Sequence, residues 1–144
     1  MELENRLFDM MWGHYVSSTL YCIAKLGVAD YLKDDHRTAK ELATDIGCHA
    51  HSLYRVMRAL ATVGIFDQDG EKFSLTPLGN LLRSDIPRSL RGRTLEMCSY
   101  FDAWEQLTET VMTGKPPREN IYDDVLATEE ESKLFYEGMD ACYY

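Results

Sequence analysis

Leu53–Gly79, LYRVMRALATVGIFDQDGEKFSLTPLG, reads as a helix, a two-strand hairpin and the capped start of another helix. Leu53, Val56, Met57, Leu60 and Ala61 fall at helical spacing while Arg55, Arg58 and Thr62 take the other side, which makes a helix with one apolar stripe. Gly64 ends it. Ile65 and Phe66 begin an extended run. Asp69-Gly70 supplies a hairpin turn, because that pair tolerates positive φ, and on the return strand Phe73 and Leu75 alternate with Lys72 and Ser74. Thr76-Pro77 closes the unit. The threonine hydroxyl caps a helix N-terminus, the proline is preorganised for its first position, and Leu78, Leu81 and Leu82 follow on a short helix. Upstream, Thr38-Ala39-Lys40-Glu41 fits a capping box for a helix to about Asp45, with Gly47 as its stop. Helix, turn, helix and wing make a winged-helix module, so the fold expected is mainly α with a small two-stranded β wing.

Around this centre the chain reads as a single domain over 1–144, with N-terminal helices in 1–34, the winged-helix core in 35–82 and further helices in 86–144. At 144 residues and 45% apolar composition it is long enough to bury a real core. No apolar run approaches the ~20 residues that span a bilayer, and the N-terminal MELENRLFDMM is charged where a leader would be apolar. A cytoplasmic location without membrane contact is the expectation. Cys22, Cys48, Cys98 and Cys142 lie far apart with no C-x-x-C, the pattern of reduced thiols rather than of a disulfide scaffold or zinc knuckle.

Charge is uneven along the chain. Residues 1–95 hold 12 acidic and 12 basic side chains, net 0, whereas residues 96–144 hold 12 acidic and 3 basic, net −9. A winged helix that binds DNA presents a basic face, because neutralising phosphates supplies most of its affinity. Here only Arg55 and Arg58 sit on the candidate recognition helix, and the run Arg83, Arg88, Arg91 and Arg93 follows the wing. Nucleic acid is therefore a disfavoured partner.

From Leu3 to about Lys25 the first helix carries Leu3, Leu7, Phe8, Met10, Met11, Trp12, Tyr15, Val16, Leu20, Tyr21, Cys22, Ile23 and Ala24, which wrap too much of its circumference for one core-facing stripe. A second buried face is implied, and a homodimer through this helix is the partner expected. Leu26-Gly27-Val28-Ala29-Asp30-Tyr31-Leu32 then reads as helix end, turn and short helix. Cys48, His49 and His51 offer thiol and imidazole within four residues, but a tight turn without a distant fourth ligand favours helix capping over zinc. His14, between Trp12 and Tyr15, reads as a hydrogen-bonded interface histidine, with a ligand-facing proton carrier as the alternative. Glu129-Glu130-Glu131 after Thr128 reads as a capped first turn favoured by the helix dipole. No Ser-His-Asp set, phosphate loop or metal-ligand spacing is present, so no catalytic or metal residue is assigned.

Taken in order, YCIAKLGVADYL, TAKELATDIG, SLYRVMRALATVGIF, FSLTPLGNLLRSD and SLRGRTLEMCSYFDAWEQLTETVMTGKP resemble the N-terminal dimerisation domain of small-molecule S-adenosylmethionine-dependent O-methyltransferases, of the caffeate, hydroxyneurospurene and polyketide types. The likeness runs from about Trp12 to Pro116. It implies an intertwined homodimer that supplies part of a substrate pocket, while the acceptor-binding residues and catalytic base lie mainly in a Rossmann-like second domain. Pocket candidates on this reading are Met11, Trp12 and Tyr15 on the first helix, and Met97, Tyr100, Phe101 and Trp104 on a long helix starting near Pro87, where their spacing makes one aromatic-rich stripe, with core packing under a Glu129–Cys142 helix as the equal alternative.

The cofactor of the full-length family is not expected to bind this chain. A cofactor loop needs closely spaced glycines, and the nine here (13, 27, 47, 64, 70, 79, 92, 114, 138) are never closer than six positions. Two departures from the family accompany this. Cys48–Ser52 stands where an Asp-Pro-Asp-like cap is usual, and Pro117–Leu126 replaces a Phe-rich stretch in shortened form. The chain is thus expected to be the dimerisation and pocket half of an O-methyltransferase acting on a small hydroxylated or aromatic metabolite, cut from a longer enzyme or paired with a separate catalytic subunit. A stand-alone binder of small hydrophobic ligands or cofactor-independent biosynthetic enzyme is one alternative, and a winged-helix transcription regulator is another.

Overall fold

The computed structural model describes residues 1–98, 100–117 and 128–140. They fall into two compact units, Met1–Arg91 and the residues from Gly92 onward. The first holds α1 (Glu2–Leu26), α2 (Val28–Leu32), β1 (Arg37–Thr38), α3 (Ala39–Ile46), α4 (Ala50–Ala61), β2 (Phe66–Asp69), β3 (Lys72–Leu75) and α5 (Pro77–Asn80). α6 (Arg91–Met97) begins on the last residue of the first unit and continues into the second, which also holds α7 (Phe101–Glu105), α8 (Leu107–Thr113) and α9 (Glu129–Asp140). Among the described residues no helix is long and apolar enough to cross a membrane.

The helix boundaries follow the local chemistry of the sequence. Thr38 and Glu41 form the capping box: the Glu41 N–H donates to the threonine hydroxyl at 3.2 Å, and the Thr38 N–H donates to the Glu41 carboxylate at 2.7 Å. Gly27 and Gly47 close α1 and α3 in the left-handed conformation that an L side chain adopts only at a cost. At α5 the Thr76 hydroxyl accepts the Gly79 N–H at 3.0 Å, with Pro77 in the first helical turn. That helix is shorter than the leucine spacing suggests, so Leu82 is buried beyond its end while Leu78 stays exposed.

The sheet corrects the expected two-stranded wing. It has three antiparallel strands in the order β1-β3-β2, with Arg37↔Phe73 and Thr38↔Lys72 on one side of β3 and Phe66↔Leu75 on the other. Arg37 and Thr38 are too few to show a strand period, and only the tertiary position of β3 gives their backbone a partner. The hairpin turn also lies one residue later than read. Asp69 pairs with Lys72, so the two loop residues are Gly70 and Glu71, and Gly70 supplies the positive φ at 58°.

The core of the first unit lies between the sheet and helices α1 to α4. Phe73, on the central strand, is fully buried, with Phe66 edge-on at 6.3 Å and Tyr54 of α4 at 5.8 Å. Ile23, Leu32, Leu42, Leu53, Met57 and Leu60 complete it, each fully buried side chain of this size contributing roughly 1.5–3 kcal/mol.

In the second unit the single long helix expected from Pro87 is replaced by shorter ones. α6 ends at Met97, the Cys98 N–H donating to the Thr94 carbonyl at 3.1 Å, and α7 starts afresh from Tyr100, whose φ −90°, ψ 23° is not helical. Cysteine and tyrosine rank among the weaker helix formers, and no glycine or proline marks the break in the sequence. α9 begins at Glu129 as read, and it packs closely on α6, a Cβ at Gly138 meeting the Arg93 backbone at 3.2 Å. Residues 118–126 of the stretch read as shortened, and Cys142, lie outside the described residues.

Two stability predictions follow from these contacts. At Gly79 an added Cβ would land on the Ile65 carbonyl oxygen, a backbone atom that cannot step aside. Gly79→Ala is therefore expected to cost about 2–3 kcal/mol in urea unfolding, the upper end of overpacking penalties. Asp85 accepts from the Arg83 guanidinium at 2.9 and 3.0 Å and pairs with Lys33 at 3.2 Å, and these contacts, the arginine first, hold its carboxyl well below the usual carboxylate range. A depressed folded value contributes stability that is present above the ordinary carboxylate range and fades as pH falls below it. Asp85→Asn should thus lower thermal stability modestly between pH 6 and 8, where the charged contacts are complete, and make it fall less steeply on acidification below about pH 4.

Candidate functional site

α1 is two helices in one in its chemistry. In its C-terminal half Leu20 and Ile23 turn into the core, with Ile23 and Ala24 fully buried. In its N-terminal half Leu3, Leu7, Met11 and Tyr15 recur every four residues, with Phe8 and Trp12 beside them, on an arc about half a turn away from the core-facing side. Every residue from Met1 to Tyr15 is exposed. Trp12 remains 57% accessible and Met10 70%, an apolar face without cover in a single copy. That face spans roughly 200° of circumference, twice the stripe by which one helix meets one surface.

At the join between the halves, hydroxyls turn back on the helix. Ser17 donates to the Gly13 carbonyl at 3.2 Å, and Thr19 donates to those of Tyr15 at 2.8 Å and Val16 at 2.9 Å. Polar side chains there are satisfied within α1, which leaves the apolar ones to face outward.

The base of α1 is held by an arginine distant in sequence. Arg91 donates through Nε to the Ala24 carbonyl at 2.8 Å and lies 3.9 Å from Asp30, whose other oxygen accepts the Ser84 N–H at 2.7 Å. This clasp closes over Gly27 and sets the direction in which α1 leaves the core. Sequence reasoning missed it, having read Arg91 only as one of a basic run.

Of the pocket candidates, the structure brings Met11, Trp12 and Tyr15 together on the exposed arc. The Trp12 and Tyr15 rings are 4.8 Å apart, and the His14 ring lies 3.9 Å from that of Tyr15. His14 is hydrogen-bonded as read, its Nδ1 donating to the Met11 carbonyl at 2.9 Å. The other four belong to the second unit and do not form one helical stripe. Met97 ends α6, Tyr100 precedes α7, and Phe101 and Trp104 lie on α7; Trp104 is exposed, whereas Tyr100 and Phe101 are half-buried. α8 adds exposed apolar side chains that were not singled out, Leu107, Val111 and Met112, the first two a turn apart in LTETVMT.

Several reactive-looking groups have ordinary roles. His49 is the residue before α4, but its ring lies 2.9 Å from the Ser52 hydroxyl instead of capping a backbone N–H. Burial first, and the neighbouring Cys48 second, push the Cys22 thiol above its usual value, and burial does the same at Cys98, the reverse of nucleophile activation. In the basic run Arg83 pairs with Asp85, Arg91 with Asp30, and Arg93 with Glu96 at 2.6 Å. Among the described residues no group of three His, Cys, Asp or Glu could hold a metal ion.

The model of the O-methyltransferase dimerisation domain matches residues 8–85, from the exposed half of α1 through α5. The chain belongs to the O-methyltransferase dimerisation domain family. This dimerisation domain is 33% identical to the phenazine O-methyltransferase PhzM of Lysobacter antibioticus over 147 residues, covering 98% of the chain and 43% of that protein. It is 39% identical over 126 residues to the 8-amino-8-demethylriboflavin N,N-dimethyltransferase of Streptomyces davaonensis, covering 82% of the chain and 36% of the relative. In the crystal structure of LaPhzM the same fold recurs with a TM-score of 0.88 and 31% identity, across 96% of this chain and 44% of that one. The dimerisation domain thus spans less than half the length of these relatives.

Arg91→Ala should destabilise the domain by about 2 kcal/mol in urea unfolding, since it removes a charged hydrogen bond to a backbone carbonyl. Arg91→Lys should recover only part of that loss, because an ammonium lacks the fork that reaches Ala24 and Asp30 together.

Proposed function

We propose that this chain is the dimerisation and substrate-capping part of an S-adenosylmethionine-dependent methyltransferase that modifies a small aromatic or hydroxylated metabolite. The observation that carries the reading is the exposed apolar half of α1, within a chain that matches a dimerisation family over residues 8–85. On this reading a second copy covers the arc from Leu3 to Tyr15, and the arc's breadth favours an intertwined pair over two helices lying side by side. The centre of the first unit is read as a winged helix, with α3, the turn and α4 followed by the β2–β3 wing.

The relatives act, by name, on a phenazine and on an aminodemethylriboflavin, both fused-ring aromatics. Within the first unit Trp12 and Tyr15 offer flat faces suited to such an acceptor, and within the second unit Tyr100, Phe101 and Trp104 are aromatic candidates of the same kind. Met11 and Met97 offer adaptable apolar contact. Their part in the reaction would be to enclose and orient the acceptor, the positional contribution that a bound geometry makes to a bimolecular step.

The reading assigns the cofactor to a part of the enzyme outside this chain. It is supported by the glycines: those with positive φ (Gly27, Gly47, Gly64, Gly70 and Gly114) terminate helices or turn the hairpin, and Gly79 is pressed against Ile65. Gly13, Gly92 and Gly138 lie within α1, α6 and α9, so no two glycines share a loop of the kind that approaches a cofactor phosphate, and no methyl-transfer step is assigned to residues of this chain.

Sedimentation equilibrium of the purified chain is expected to give about twice 16.6 kDa, and the double variant Leu7→Glu with Met11→Glu a monomer with unchanged helical circular dichroism. A monomeric parent chain would overturn the self-association. Methyl transfer by this chain alone, given S-adenosylmethionine and a hydroxyphenazine acceptor, would overturn the assignment of the cofactor elsewhere.

A further inference from the structure

His14 stands among the apolar side chains of the exposed arc. By helical spacing it lies between the Leu3 and Leu7 rows, three residues after Met11 and next to Tyr15. Nδ1 is already committed, since the Met11 carbonyl can only accept, so it carries the hydrogen at 2.9 Å. The remaining nitrogen, Nε2, is an acceptor, and any further proton must go there. The other contact of the ring among the described residues is the Tyr15 ring at 3.9 Å.

Resting on the self-association proposed above, we infer that His14 is a pH-sensitive element of the contact between two copies of this chain, which hold together while its imidazole is neutral and separate when it is protonated. Burying a neutral imidazole against Leu, Met and Tyr costs one unshared acceptor. Burying its cation costs the hydration of a full charge. Imidazole is the side chain that changes charge between pH 5 and 8, so the difference falls where it can be read.

The ionisable groups near His14 do not offset that charge. By helical spacing Arg6 lies about 80° round the axis from His14 and about two turns before it, and Asp9 about 140° round. Glu4 shares the arc, but its carboxylate is paired with the amine of Met1 at 2.7 Å. Among the described residues no hydrogen bond, ion pair or ring contact joins a side chain of α2, α3 or α4 to the His14 ring. The core does not depend on it either, because its most deeply buried residues carry no ionisable group.

The test is the dimer dissociation constant of the full chain by sedimentation equilibrium at pH 8 and pH 5, beside His14→Gln, which keeps a polar neutral side chain. The expected result is a parent constant roughly tenfold or more weaker at pH 5, with circular dichroism unchanged, and a His14→Gln constant that moves less than about twofold. An equal constant at both pH values, a tighter one at pH 5, or the same shift in His14→Gln overturns the role of His14 and leaves the dimer reading intact. A monomer at pH 8 overturns both.

Discussion

A helix with apolar side chains on opposite sides of its two halves cannot satisfy both against one core. α1 resolves the conflict along its length: Leu20, Ile23 and Ala24 go into the first unit, and Leu3 to Tyr15 are left outside. Each large apolar side chain left in water forgoes the roughly 1.5–3 kcal/mol that burial returns. A helix isolated in this way draws little stability from propensity alone. The outer half therefore makes physical sense as a surface awaiting cover, in keeping with the family to which the chain belongs.

The inner half must be held firmly for the outer half to be aimed. The Arg91 clasp does this at the helix end, where the Ala24 carbonyl lies in the last turn of α1 and Gly27 turns the chain. Below it, Phe73 pins the sheet to α4 through Tyr54, and Thr76 joins the start of β2 to the start of α5 by donating to the Gly64 carbonyl at 2.6 Å while accepting from Gly79. The residues that look most reactive in the sequence are used here as ordinary structure. The Cys22 and Cys98 thiols are partly buried and harder to ionise, and Arg83, Arg91 and Arg93 face carboxylates within the chain. On the outer half of α1 the exposed face is chiefly apolar and aromatic.

The sequence alone determined those features whose cause is local. Thr38 with Glu41, Thr76 with Pro77, Gly27 and Gly47 each set a helix boundary through a hydrogen bond or a backbone conformation reaching at most a few residues, and the structure keeps them. The excess of apolar positions on the first helix was equally legible, because it is a matter of counting around one axis. Tertiary structure decided what depends on a distant partner. β1 became a strand because β3 passed beside it, and Arg91 became an anchor because the Ala24 carbonyl lay within reach across 67 positions. The break between α6 and α7, which carries no glycine or proline, separated Met97 from the aromatic residues after it. Such contacts leave no period or motif in the chain, since the energy that fixes them belongs to pairs of residues and not to either residue alone.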